Sequence, residues 1–155
     1  MNSPGPVLAV DYGARRLGLA ISEPESGIAF PVDPLVRRNP AKDLADLRDL
    51  ATDRQIARIV VGLPIHMDGS AGPEAEAARS FSVELERITG LTVELLDERW
   101  TTMEAERSLR EVDQSRKSRQ RNRQSGARDS AAAAILLRTY LERSQFGAKP
   151  ESEPR

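Results

Sequence analysis

Residues Val7–Ser22 read VLAVDYGARRLGLAIS. The apolar run Val7–Val10 ends on a carboxylate, Asp11. A turn follows through Tyr12, Gly13, Ala14 and the paired Arg15 and Arg16, and a second apolar run, Leu17–Ile21, leads away. Two short β-type runs joined by a tight, Gly-containing connection predict a hairpin. A carboxylate at the very end of an apolar strand is costly to bury unless a cation or hydrogen bonds meet it. Asp11 therefore either caps the turn or binds something positive, such as a metal ion. Taken alone, a strand-end Asp is most often an ordinary turn residue, so its weight depends on the rest of the chain.

Downstream, Pro31–Val36 predicts a third strand, and Pro31 and Pro34 suit the edge of a sheet, where a missing N–H is harmless. From Ala41 the period changes: Leu44, Leu47, Leu50 and Ala51 lie at helical spacing, with Asp43, Asp46, Arg48 and Asp49 on the opposite face. Ile56–Gly62 reads as a buried strand, and Leu63–Pro73 as a Gly/Pro-rich loop holding the single histidine, His66. Pro73 can open a helix over about Glu74–Thr89, with Ala77, Ala78, Phe81, Leu85 and Ile88 as its apolar stripe and Gly90 as its end. Thr92–Leu96 is the fifth strand and runs into Asp97, Glu98 and Arg99. Thr101 and Glu104 have capping-box spacing for a further helix. Ser115–Arg128 reads as a basic, structureless stretch with no acid in it. The last helix, about Asp129–Arg143, turns Ala132, Ile135, Leu136 and Tyr140 inward.

A three-stranded antiparallel meander followed by strand–helix alternation predicts an α/β fold, with a mixed five-stranded sheet flanked by helices. At 155 residues the chain is expected to be one domain over 7–144, with flexible tails at 1–6 and 145–155. It has no cysteine, which excludes disulfides, thiol catalysis and Cys-based zinc sites, and one histidine excludes a multi-His metal centre. The net charge of −1 argues against a globally basic coat protein while leaving room for a local basic patch. The N-terminus has no signal-peptide pattern and no apolar run reaches membrane-span length, so no membrane partner and a cytoplasmic location are expected.

Three acidic positions share a context: Asp11 ends the first strand, Glu98 (with Asp97) follows the last, and Asp129 opens the final helix. Ligands of open α/β sheets gather outside the carboxyl ends of the parallel strands, where these acids would meet. Crowded carboxylates repel, and hard divalent cations such as Mg2+ or Mn2+ relieve that repulsion with oxygen ligands. Two such ions can clamp an in-line displacement at phosphorus. The basic segment, with Arg116, Lys117, Arg119, Arg121 and Arg123, would hold a polyanion beside them. Together these features favour a metal-dependent nuclease.

VDYGARRLGLAIS, VVGLPIHMDGS, LLDERWTT and DSAAAAILLRTYL, in that order, resemble the YqgF family, also called RuvX, over about Val7–Arg143. The resemblance implies an RNase H-like fold and a bacterial phosphodiesterase linked to 5′-end maturation of the small-subunit ribosomal RNA precursor. It places the family's catalytic, metal-binding acids on Asp11, Glu98 and Asp129, and it is what ranks Glu98 above Asp97. Nucleic-acid contacts then fall to Arg15, Arg16 and the basic segment. Resolvase-type relatives carry a further acid one helical turn before the last Asp, where this chain has Gly126.

Blander readings stand beside these. Asp97 and Arg99 suit an ion pair or a cap, His66 a structural loop role, and Gly69–Ser70 a plain turn as well as a phosphate cradle. One rival is nucleotide binding, because Asp11–Gly13 also resembles the first phosphate hairpin of actin-like ATPases; no second such hairpin follows. Others are a non-catalytic nucleic-acid-binding regulator of transcription and a Holliday junction resolvase acting on branched DNA. The last would need a homodimer rather than a monomer.

Overall fold

The computed structural model of the chain describes residues 5–63, 72–97 and 125–145, with the backbone alone for 125–129 and 144–145. In chain order the elements are β1 (Val7–Asp11), β2 (Arg16–Ser22), β3 (Ala29–Val36), α1 (Pro40–Asp53), β4 (Arg58–Leu63), α2 (Pro73–Thr89), β5 (Thr92–Asp97) and α3 (Ser125–Gln145). The strands form one five-stranded sheet in the order β3-β2-β1-β4-β5. β1 pairs antiparallel with β2, in register Leu8↔Ile21 and Asp11↔Gly18, and β2 pairs antiparallel with β3. β4 runs parallel to β1, with Val10↔Val61, and β5 runs parallel to β4, with Leu63↔Asp97. The expected meander and the expected edge position of the proline-bearing strand are both observed.

Strand alternation divides the core in two. Leu8, Val10, Leu17, Leu19, Ile21, Ile59 and Val61 face α1 and α2, where Leu44, Leu47, Ala51, Phe81 and Leu85 meet them. Val7, Ala9, Ala20, Val60 and Leu96 face α3, through Ala133, Leu136, Leu137 and Tyr140. Each fully buried Leu or Val adds about 1.5–3 kcal/mol, so both faces must be covered for the sheet to persist. The helix ends follow local chemistry. Asn39 caps α1 by accepting from the Lys42 N–H at 2.8 Å, ahead of Pro40. Gly90 ends α2 in the left-handed region (φ 75°), where a side chain would be strained.

Four expectations need correction. Asp43 does not face solvent with Asp46 and Asp49; it is 1% exposed. In α2 the buried stripe runs through Ala75 and Ala78, and Ala77 is exposed. In α3 it is Ala133, not Ala132, that is fully buried. Finally, α3 starts at Ser125, so the end of the basic stretch is helical and Asp129 lies inside the helix rather than opening it. The loop with His66, Gly69 and Ser70, the acid Glu98 with Arg99, the helix expected after Thr101, and Arg116–Arg123 lie outside the described residues.

Candidate active site

β1, β4 and β5 are mutually parallel, and their carboxyl ends form one edge of the sheet, with Asp11, Leu63 and Asp97 as the last strand residues. Asp11 is half-buried there. The alternation that puts Val7 and Ala9 under α3 puts Asp11 on that same face. On β5, Leu96 packs under α3, whereas Asp97 is level with Leu63, which packs against Ala75 and Ala78 of α2. Asp11 and Asp97 thus share an edge but lie on opposite faces of the sheet.

α3 covers the Asp11 face and runs along the strands. Near its start, the Ser130 hydroxyl donates to the Val32 carbonyl on β3 at 2.7 Å. Near its end, the Tyr140 hydroxyl accepts from Arg58 Nη1, at the start of β4, at 2.8 Å. Position 129 therefore lies toward the acid end of the sheet. It falls at helical spacing on the stripe of Ala133, Leu136 and Tyr140, which packs on the sheet. At the opposite end, burial pushes the Tyr140 phenol up despite the hydrogen bond from Arg58, and the Glu94 charge pushes it further. The hydrogen bond to Tyr140 outweighs burial and holds Arg58 above its ordinary value. Glu94 Oε1 is buried there with no hydrogen-bond partner among the described residues.

The β1–β2 turn is tightly built. A Cβ on Gly13 would stand 2.6 Å from the Arg16 carbonyl oxygen, so only glycine fits without a backbone shift. Tyr12 stacks on Phe81 of α2 with ring centroids 5.1 Å apart. Arg37, directly after β3, places its guanidinium 4.6 Å from the Tyr12 ring centre and donates from Nη1 to the Gly13 carbonyl at 2.9 Å. Its Nε donates to Asp43 Oδ2 at 3.1 Å, while Asp43 Oδ1 accepts from the Arg38 N–H at 3.0 Å. Burial lowers the affinity of Arg37 for its proton, but Tyr12 and Asp43 outweigh it, so its pKa is held above its ordinary value.

Of the expected site residues, then, Asp11 and position 129 belong to one face of one end of the sheet. Arg15 is exposed in the turn beside them, and Arg16 begins β2, half-buried. Arg37 and Asp43 were not expected to matter. The signal available for them was an acid one turn inside a helix whose cap, Asn39, follows directly on two arginines. Oxygen donors of this kind suit a hard divalent ion. Among the described residues, no three acidic or histidine side chains converge on one point.

The family model described as RuvX, Holliday junction resolvase, matches residues 5–143. A Rhodobacter capsulatus protein named "Putative pre-16S rRNA nuclease" is 40% identical over 139 residues, covering 90% of this chain and 84% of that one. One of the same name from Anaeromyxobacter dehalogenans is 43% identical over 136 residues, covering 88% and 96%. Among solved structures, RuvC of Thermus thermophilus in complex with a Holliday junction superposes with a TM-score of 0.58 at 14% identity, over 93% of this chain and 97% of that one. The fowlpox virus Holliday junction resolvase gives 0.54 at 16% identity, over 88% and 98%. At such identities the likeness is one of fold: a RuvC-like, RNase H-type sheet.

Proposed function

The chain belongs to the RuvX family, and from that premise we propose that it hydrolyses nucleic-acid phosphodiester bonds at the acid end of its parallel strands. The substrate proposed is the precursor of 16S ribosomal RNA, after the names of its relatives, and the reaction is placed in 5′-end maturation in the cytoplasm. Among the described residues, no helix is long and apolar enough to cross a membrane. The observation that carries the reading is Asp11, a carboxylate at the end of β1 on the face that α3 covers.

Asp11, Glu98 and Asp129 are the residues proposed to hold Mg2+ or Mn2+. Glu98 is preferred to Asp97 because Asp97 lies on the α2 face of β5. A bound hard cation supplies charge for the phosphoryl oxygens and lowers the pKa of a water nucleophile. The chain's own part is to place these carboxylates and to hold the polyanion through Arg15, Arg16, Arg116, Lys117, Arg119, Arg121 and Arg123. Phosphate contacts of this kind fix register rather than read sequence. Cleavage of a four-way junction is the second reading, favoured by the description of the matching family model. It requires two sites and hence a homodimer.

The test is purified protein with Mg2+ or Mn2+ on labelled ribosomal RNA precursor and on a four-way junction, beside Asp11→Asn. Metal-dependent cleavage of the RNA by the native protein alone is expected. Preferential cutting of the junction by a dimer, sized by light scattering, would transfer the assignment to the second reading. Full turnover by Asp11→Asn would remove Asp11 from the site.

A further inference from the structure

The acid that ends β1 stands next to a turn that lies outside the strand ladder, and carboxylates gathered at one sheet edge repel. Such a site relaxes by moving its loosest member unless something holds it. One residue grips the turn twice. The Arg37 N–H donates to the Arg15 carbonyl at 2.9 Å, and the Arg37 side chain donates to the Gly13 carbonyl at 2.9 Å. The same guanidinium lies over Tyr12 at 4.6 Å and Phe81 at 5.6 Å, so the turn is fastened to α2 as well. Asp43, buried in the first turn of α1, holds the guanidinium from the other side at 3.1 Å.

Arg37 is 16% exposed in its side chain and its charge is met by Asp43. It is therefore not placed to reach a substrate phosphate. We propose that Arg37 is a positioning residue for the acid edge: by clamping Tyr12, Gly13 and Arg15 it presents Asp11 in one place, and Asp43 keeps the clamp oriented. The inference rests on Asp11 being a metal ligand. A planar fork is needed for this task, because one group must stack on a ring, reach a carbonyl and pair with a carboxylate together. Lysine, a point charge, can meet Asp43 but cannot do all three.

The experiment is Mn2+ affinity, read by electron paramagnetic resonance of the free ion without substrate, for native protein, Arg37→Lys, Asp43→Asn and Leu47→Ala. Leu47 is fully buried under the sheet and distant in role, so Leu47→Ala is the control for general loosening. Arg37→Lys should weaken Mn2+ about tenfold, the lower end for losing a group that orients a ligand. Its kcat should fall at unchanged KM, while Leu47→Ala lowers Tm and leaves Mn2+ affinity alone. Asp43→Asn, which keeps an acceptor for the Arg38 N–H, should fall between, and it carries the comparison if Arg37→Lys does not fold. Affinity within twofold of native in both clamp variants would overturn the positioning role. So would an equal loss in Leu47→Ala. Native protein that bound no Mn2+ would instead overturn the carboxylate site, and this role with it.

Discussion

Replacing Asp43 by alanine separates the sequence's expectation from the structure's by magnitude. On a solvent-facing side of α1, Asp43→Ala would be near neutral, because alanine's better helix propensity, roughly 0.5 kcal/mol, is offset by the loss of an acid from the first turn of the helix. In the structure the carboxylate is 1% exposed and accepts two hydrogen bonds, from Arg37 Nε and the Arg38 N–H. Breaking a fully buried ion pair costs about 3–5 kcal/mol. Arg37 is 16% exposed and regains some water, so the charge penalty is smaller. The orphaned Arg38 N–H contributes about 1 kcal/mol. The expected loss is about 2–3 kcal/mol, which for a chain of this size lowers Tm by about 5–10 °C. Asp43→Asn keeps one acceptor and should lose about half as much. Thermal and urea unfolding followed by circular dichroism measure both. A Tm for Asp43→Ala at or above the native value would refute the buried clamp.

Further outcomes follow from other sites. Asp11→Asn should lose metal-dependent cleavage while its metal-free Tm stays level or rises, as the proposed carboxylate cluster requires when one of its charges is neutralised; a large fall in Tm would make Asp11 a structural residue. Arg15→Gln with Arg38→Gln, both exposed beside the turn, should flatten the salt dependence of RNA binding by roughly 0.7 of a unit for each phosphate no longer neutralised. An unchanged slope would show that this edge does not touch the backbone. The raised Tyr140 pKa means that the folded state binds this proton more tightly than the unfolded one. Its contribution is therefore complete below the unfolded phenol value and is lost as pH rises through the folded value, above about pH 10. Tyr140→Phe should cost about 1 kcal/mol near neutrality and remove that part of the alkaline destabilisation, seen in melts at pH 8 and pH 10.5. Gln55, exposed with φ of 55°, should gain up to about 1 kcal/mol on Gln55→Gly, by chemical denaturation.

Much of the fold was legible because periodicity reports burial. The hairpin, the proline-marked edge and the two parallel strands appear where alternating or continuous apolar runs stand. What misled were residues whose setting is decided outside their own local pattern. Asp43 sorts with the polar face of α1 by hydropathy, and only the return of Arg37 and Arg38 from β3 gives it a reason to be inside. Ser125–Arg128 looks like loop because it carries glycine and charge, yet α3 begins there, and this carries Asp129 from the helix end to its second turn. The candidate site was legible in Asp11, whose charge contradicts its strand. It was scarcely legible in Arg37, whose one local trace is an acid in the first turn of the helix that follows it; the turn that it clamps lies more than twenty residues away.

The α3 contacts join parts of the chain that are made far apart in time. Val7, Ala9, Ala20 and Val60 belong to strands complete early in synthesis, but their cover is Ala133, Leu136, Leu137 and Tyr140. Ser130 meets Val32 across 98 residues and Tyr140 meets Arg58 across 82. While the ribosome is still translating the middle of the message, one side of the sheet stays greasy and open to chaperones or to another nascent chain. The helix that closes it also carries Asp129. A nascent or prematurely terminated chain lacking α3 would have neither a closed core nor a complete set of the proposed acids. Cutting would thus be withheld until synthesis had passed the last turn of that helix, and truncated chains would be sticky rather than destructive.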